Sequence, residues 1–204
     1  MGTNTRGPVL VTSIPIVDAA LDRHATALGQ DFTPYRNHVY RVVNLCLAVT
    51  GASRDDLDKI AVAAAFHDLG IWTDHTFDYI APSVALAREY LADRSRSDWI
   101  PEIEAMIANH HKITRARAHP DCLVEGFRRA DWVDVSRGWR RFGVARPFIT
   151  SLFATWPVPV SIGGSSNSPP PGFPGIPSRR SPWSNCEGAV HHGCGFTRPS
   201  VGLL

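Results

Sequence analysis

Acidic residues are almost missing from the C-terminal third of this 204-residue sequence, where Glu187 is the only one among residues 136–204. Residues 1–135 carry 14 basic and 18 acidic residues, a net charge of −4, whereas residues 136–204 carry seven basic residues and a net charge of +6. The overall charge of +2 therefore averages two unlike segments and is a poor guide to binding partners. The acidic N-terminal part argues against general affinity for nucleic acids.

Long apolar runs and closely spaced cysteines are also missing. No run approaches the roughly 18–20 apolar residues that a membrane-spanning helix requires, and the N-terminal apolar residues are too few and too interrupted for a secretory signal. The four cysteines form no Cys-x-x-Cys pair and no dense disulfide framework. We therefore expect a cytoplasmic protein with a small-molecule substrate and with neither a nucleic-acid nor a membrane partner.

The last 50 residues, 155–204, contain 9 Pro, 8 Gly and 8 Ser. Such a segment cannot bury enough apolar side chains to offset the loss of chain entropy on folding. It is either a disordered tail or the product of a reading-frame error, since out-of-frame translation of GC-rich DNA is rich in Pro, Gly, Ser, Arg, Trp and Cys. We expect residues 1–30 to form an N-terminal segment with a first helix, residues 31–150 the main domain, and residues 151–204 the tail.

Helix signals extend over residues 14–153. Thr33 followed by Pro34 predicts the start of a helix that ends at Gly51, and Ser53 followed by acidic residues predicts the start of the next. No long β-branched run alternates with a period of two, so the sequence predicts an all-α fold. The predicted helices cover about residues 15–29, 35–50, 53–70, 82–92, 102–111, 122–138 and 146–153.

Four of the predicted helices carry a histidine or a carboxylate within an otherwise apolar face. His38, for example, lies on the same face as Val42, Leu45 and Cys46. A buried imidazole or carboxylate without a partner costs several kcal/mol, roughly, so we expect these groups to meet in the core. Imidazoles and carboxylates that converge between helices are suitable ligands for a divalent metal ion. The residues concerned are His38, His67, Asp68, His110, His111 and Asp131.

This ordered set resembles the H…HD…H(H)…D signature of the HD-domain superfamily of metal-dependent hydrolases. The intervals are 29 residues between His38 and His67, 42 between Asp68 and His110, and 20 between His111 and Asp131. The segments YRNHVYRV, AAAFHDLGIW and RRADWVD support the match, which covers roughly residues 31–140. The resemblance implies an HD-domain bundle of about five to six helices and a hydrolytic enzyme.

By that resemblance His38, His67, Asp68 and Asp131 are metal ligands, while His110 and His111 match positions that hold a second ion in two-metal members. The implied cofactor is one or two divalent ions of Mn, Fe, Zn, Co, Ni or Mg. The candidate catalytic residues are Asp68, Lys112 and Arg41. A bound ion would activate a water molecule and polarise a phosphoryl oxygen.

Two cations close to the signature could bind a substrate phosphate. Lys112 directly follows the histidine doublet, and Arg41 lies one turn after His38. Alternatively, Lys112 is a solvated residue at a helix end and Arg41 is exposed or paired with another residue. Asp74, His75 and Asp78 either supply a general base or acid, or form a polar loop.

The sequence therefore predicts a phosphohydrolase that acts on a small phosphorylated or nucleotide-like substrate through a metal-activated water. Two alternatives stay open. One is a hydratase or hydrolase of a small non-phosphate compound, similar to cyanamide hydratase. The other is a non-catalytic metal-binding module. No GYP motif follows the His-Asp dipeptide, so the cyclic-dinucleotide branch of the superfamily is not supported.

Overall fold

The computed structural model describes residues 9–53, 56–76, 78–115 and 123–158. These residues form seven α-helices of eight or more residues and two of four residues, with no strand among them. This confirms the predicted all-α class. The predicted tail beyond Val158 lies outside the described residues. The helices are α1 (Pro15–Asp22), α2 (Ala25–Leu28), α3 (Phe32–Thr50), α4 (Leu57–Phe66), α5 (Gly70–Thr73), α6 (Ile80–Ala92), α7 (Ile100–Asn109), α8 (Leu123–Val135) and α9 (Arg146–Thr155).

Helices α3 and α8 form the most extensive pair in the fold. Gly126 permits their close approach, because a Cβ atom at this position would lie 2.0 Å from Cγ2 of Thr50. Along α3, Val42, Leu45 and Cys46 are completely buried, as the apolar periodicity predicts. The pairing brings the first half of α3 beside the second half of α8.

From Ile60 to Phe66, helix α4 is apolar on all sides, and every one of these residues is buried. A helix with this pattern belongs in the interior, and α4 indeed packs against α1, α3, α6 and α7. Its C-terminal end therefore delivers His67 and Asp68 to the centre of the bundle.

Several helix ends differ from the predicted ones. Helix α3 begins at Phe32, so Thr33 and Pro34 lie in its first turn, where the missing N–H of proline leaves no intrahelical hydrogen bond unmade. Helix α9 extends to Thr155, past the domain boundary predicted at residue 150. None of the described helices is long and apolar enough to cross a membrane.

Candidate metal centre

Four of the predicted ligands meet in the middle of the bundle. His38 comes from α3, His67 and Asp68 from the turn that follows α4, and Asp131 from α8. The Nε2 atoms of His38 and His67 are 3.0 Å apart, and His67 Nε2 lies 3.2 Å from Asp68 Oδ2. Asp131 Oδ1 lies 3.6 Å from His38 Nε2 and 3.9 Å from His67 Nε2. Three separate helices thus aim their nitrogen and oxygen donors at one point.

The two imidazoles are held with their Nε2 lone pairs towards this point. His67 Nδ1 donates to the carbonyl oxygen of Ala64 at 2.8 Å, and His38 Nδ1 donates to Asp134 Oδ2 at 2.6 Å. With hydrogen on Nδ1, the Nε2 atom of a neutral imidazole is an acceptor and a metal ligand. Two acceptors 3.0 Å apart repel each other unless a proton or a cation lies between them.

Asp68 supplies a second sign that a cation belongs here. Its Oδ1 atom is buried and has no hydrogen-bond donor among the described residues. The nearest imidazole nitrogen, His110 Nε2 at 3.3 Å, is itself an acceptor in the neutral ring, because His110 Nδ1 donates to the carbonyl oxygen of Ile107. An unsatisfied buried carboxylate oxygen is costly. A divalent cation would satisfy it.

The donor set fits a divalent metal ion. His38, His67 and Asp68 each offer one ligand atom, and these atoms lie within 4.8 Å of one another. Ligand atoms about 2.0–2.2 Å from a common ion stand roughly 3–4 Å apart, which is the range seen between the donors. Imidazole nitrogen together with carboxylate oxygen suits several transition metals, so the donors alone do not select one.

The histidine doublet is divided between the interior and the surface. His110 is buried and faces Asp68 Oδ1, whereas His38 and His67 face the Oδ2 side of the same carboxylate. His111 is exposed, and its ring meets that of His110 edge-on with centroids 4.9 Å apart. The structure therefore brings His110 to the cluster at a position where it could bind a second ion, and it leaves His111 at the rim.

Without an ion, this centre favours protonated imidazoles. Burial by itself lowers the pKa of His67, but the adjacent Asp68 carboxylate outweighs burial and the pKa is raised. The same holds for His38, where Asp134 and Asp131 outweigh burial. Burial raises the pKa of Asp131, whereas the imidazoles of His67 and His110 overcome burial and hold the pKa of Asp68 well below its usual value. A bound cation would take the place of these protons.

Arg41 is buried and supports the metal centre through Asp134, so its guanidinium group is not exposed for contact with a substrate. It is 4% exposed, and it donates from Nε and Nη2 to the two oxygens of Asp134 at 2.5 and 2.9 Å. Its Nη1 donates to the carbonyl oxygen of Trp156 at 2.7 Å. The expected phosphate contact of Arg41 is therefore wrong, because all three nitrogens are engaged inside the protein. The alternative of a partner-paired arginine is correct, and its partner Asp134 was not identified from the sequence.

Tyr35 is a second supporting residue that the sequence did not reveal. Its hydroxyl donates to the carbonyl oxygen of Ala65 at 3.1 Å and accepts from the backbone N–H of Asp68 at 3.3 Å. These bonds span the turn in which α4 ends, so Tyr35 fixes the orientation of the His-Asp dipeptide. Its position three residues before His38, on the same side of α3, is the signal that could have indicated it.

The segment between α5 and α6 brings Tyr79 to the cluster. The Tyr79 hydroxyl lies 3.4 Å from His110 Nε2. Gly70 makes room for this path, because a Cβ atom there would lie 2.5 Å from the carbonyl oxygen of Tyr79. Asp74, His75 and Asp78 are exposed, which agrees with a polar loop. Lys112 is also exposed, and its role in binding a substrate stays a prediction.

The comparison with known families agrees with this geometry. A family model described as "HD domain" matches residues 35–136, half of the chain. The chain belongs to the HD-domain family. The matched range begins at Tyr35 and includes all the donors of the centre, from His38 on α3 to Asp131 on α8. No curated protein and no solved structure matches the chain.

Membership of the HD-domain family, a family of metal-dependent hydrolases, agrees with the observed donor set. The predicted signature residues His38, His67, Asp68, His110 and Asp131 lie together between α3, α4, α7 and α8. The family and the geometry therefore indicate a divalent-metal centre in the HD domain of this chain.

Proposed function

We propose that this protein is a metal-dependent phosphohydrolase that acts on a small phosphorylated or nucleotide-like molecule. The observation that carries the proposal is the convergence of His38, His67 and Asp68 on one point, next to a buried Asp68 Oδ1 atom that lacks a hydrogen-bond donor among the described residues. A cytoplasmic setting is part of the same proposal. It is supported by the buried free thiol of Cys46, which suits a reducing compartment.

A bound divalent ion supplies a Lewis acid and lowers the pKa of a coordinated water molecule. His38, His67, Asp68 and Asp131 would hold the ion, and His110 would hold a second one beside the other oxygen of Asp68. Burial, followed by the charges of Asp68 and Asp131, raises the pKa of Tyr79. Its phenol therefore stays protonated and can donate a hydrogen bond to a substrate oxygen.

The substrate phosphate would be bound at the rim of the centre. Lys112 is exposed and directly follows His111, so its ammonium group can serve as a point charge for a phosphate oxygen. His111 is exposed beside it and can donate a further hydrogen bond. Both residues lie just after α7, the helix that ends next to His110.

One observation favours a second candidate function. Arg41, one of the two cations expected to bind phosphate, is instead engaged with Asp134 and Trp156. A site with fewer cations is better suited to a small uncharged substrate. A hydratase or hydrolase of a nitrile-like or amide-like compound, similar to cyanamide hydratase, is therefore the alternative.

The test is a metal-supplemented activity screen on the full chain. Purified protein is stripped with a chelator, its metal content is measured, and Mn, Fe, Zn, Co, Ni or Mg is added back. We expect hydrolysis of phosphate esters, among them nucleotides, only after an ion is restored. Turnover of nitriles or amides alone would favour the alternative, and bound metal without any turnover would favour a non-catalytic module.

Matched variants connect the activity to the centre. Asp68→Ala and His67→Ala are expected to lose both the bound ion and the activity. Asp78→Ala removes an exposed carboxylate outside the cluster and should retain both. Full activity of Asp68→Ala would refute the mechanism.

A further inference from the structure

His38 is held from behind by a chain of hydrogen bonds that leads away from the metal centre. Its Nδ1 donates to Asp134 Oδ2 at 2.6 Å, and both oxygens of Asp134 accept hydrogen bonds from Arg41. A carboxylate in this position fixes the tautomer and orientation of a ligand imidazole and raises its basicity. The placement of Asp134 therefore bears directly on how well His38 can bind a cation.

The third contact of Arg41 lies at the C-terminal end of α9. Arg41 Nη1 donates to the carbonyl oxygen of Trp156 at 2.7 Å. Trp156 is the residue that directly follows α9, and its N–H still donates to the carbonyl oxygen of Leu152. Carbonyl groups at a helix end lack intrahelical partners and form the negative end of the helix dipole. The buried guanidinium therefore caps α9 and connects it to Asp134.

Trp156 and Pro157 also contact α3 independently of Arg41. Trp156 is 6% exposed, and its ring packs against that of Tyr40 with centroids 5.3 Å apart. Asn37 Nδ2 donates to the carbonyl oxygen of Pro157 at 3.0 Å. Because Asn37, Tyr40 and Arg41 are three and four residues apart, they lie on one side of α3. The end of the described chain is thus fixed to the helix that carries His38.

We propose that Trp156 and Pro157 form a clasp that sets the affinity of the metal centre. The clasp keeps Arg41 against Asp134, and Asp134 keeps His38 Nε2 directed at the ion. Trp156 is a positioning residue, because it acts through Arg41 and Asp134 and has no hydrogen bond or ring contact with a ligand in the described part of the chain. The inference rests on the proposed metal binding and extends it to a segment outside the range that matches the HD family.

The test measures Mn²⁺ binding to the full chain by calorimetry, without any substrate. Trp156→Ala is expected to weaken Mn²⁺ binding by about tenfold, and Trp156→Phe, which keeps a ring against Tyr40, should restore most of the affinity. Trp99→Ala is the matched control. Trp99 is partly buried beside Arg96 in the turn before α7, so its loss should lower the melting temperature and leave Mn²⁺ affinity unchanged.

A double-mutant cycle tests whether the clasp acts through Arg41. Arg41→Met breaks the link to Asp134, so adding Trp156→Ala to it should cause no further loss of affinity. If the losses of Mn²⁺ affinity in the two single variants add fully in the double variant, the two residues act independently. The proposed action of Trp156 through Arg41 would then be wrong. Should Trp156→Ala fail to fold, Asn37→Ala removes the hydrogen bond to Pro157 and should weaken Mn²⁺ binding by about two- to threefold.

The outcomes separate this inference from the proposed function. If Trp156→Ala or Asn37→Ala folds and binds Mn²⁺ as tightly as the wild type, the clasp is wrong and the metal centre stands. If the wild type binds no Mn²⁺ or any other divalent ion, the metal centre is wrong and the clasp falls with it.

Discussion

Helix α8 contributes to two buried arginine–carboxylate pairs that share the same geometry. Near its N-terminal end, Glu125 accepts from Nε and Nη2 of Arg128, both at 2.8 Å, and Arg128 Nη1 donates to the carbonyl oxygen of Lys112. Near its C-terminal end, Asp134 accepts from Nε and Nη2 of Arg41, whose Nη1 donates to the carbonyl oxygen of Trp156. Each arginine is 4% exposed.

The pairs differ in the second partner of the carboxylate. Asp134 also accepts from His38, a ligand of the metal centre, whereas Glu125 also accepts from Arg129, whose side chain is 32% exposed. The same bidentate arrangement therefore supports a metal ligand at one end of α8. At the other end it fixes the chain that follows α7. Similar contacts and similar burial do not imply the same function.

The largest expected effect is on stability: removing the Asp134 carboxylate and removing the Glu125 carboxylate should destabilise the fold by similar amounts. Asp134→Ala leaves Arg41 as a buried unpaired charge, and Glu125→Ala does the same to Arg128. Each is expected to lower the free energy of unfolding by about 3–5 kcal/mol, measured by urea denaturation of the metal-free protein. A cost below about 1 kcal/mol for one of them would show that the pairs are not equivalent in stability.

Mn²⁺ binding should distinguish the Asp134–Arg41 pair from the Glu125–Arg128 pair. At a Mn²⁺ concentration 100 times the wild-type Kd, binding stabilises the fold by about 2.7 kcal/mol. Glu125→Ala should show the same gain. If Asp134→Ala binds ten- to hundredfold more weakly, its gain at that concentration falls to about 0.4–1.4 kcal/mol. Equal gains in the two variants, measured from denaturation curves with and without Mn²⁺, would contradict a special role for Asp134.

The ligands of the centre could be predicted from sequence, but these supporting pairs could not. His38, His67 and Asp131 are polar residues on apolar helical faces, so their burial and their need for partners follow from periodicity. Asp134 lies three residues after Asp131, as Arg41 does after His38. Which of these residues meet depends on how far α8 is shifted along α3.

That shift is a tertiary property. It is set partly by the contact of Gly126 with Thr50, which no local sequence pattern encodes. The same limitation applies to Tyr79, since its approach to His110 depends on the path of the segment after α5. The helices themselves were predictable from apolar periodicity and turn residues. Their ends were less so: α3, for example, starts at Phe32 with a proline in its first turn.

A smaller effect is expected from pH on the free energy of unfolding, and it should depend on Asp134 and not on Glu125. The pKa values of His38 and His67 are raised in the metal-free fold, so their stabilisation is complete below about pH 6.5, the value for an unfolded histidine. It is lost as pH rises through the folded pKa values. The unfolding free energy of metal-free protein should therefore fall above neutral pH.

A saturating concentration of Mn²⁺ should abolish this loss of stability above neutral pH, because the bound ion replaces the protons. Glu125→Ala leaves the partners of His38 intact and should retain the pH dependence. Asp134→Ala removes a carboxylate that raises the pKa of His38, so this variant should show a weaker pH dependence of stability. Urea denaturation between about pH 6 and 9 with a chelator present measures the effect. An unfolding free energy that rises with pH in the metal-free wild type would contradict the raised pKa values of His38 and His67.

The smallest effect is expected from the exposed partner of Glu125. Arg129→Ala leaves Glu125 paired with Arg128 and removes an ion pair that is partly solvated, so the unfolding free energy should change by less than about 1 kcal/mol. Mn²⁺ affinity should not change, because Arg129 has no contact with the centre among the described residues. A measurable loss of Mn²⁺ affinity in Arg129→Ala would mean that the Glu125 pair is also coupled to the metal centre, and the distinction between the two ends of α8 would then be lost.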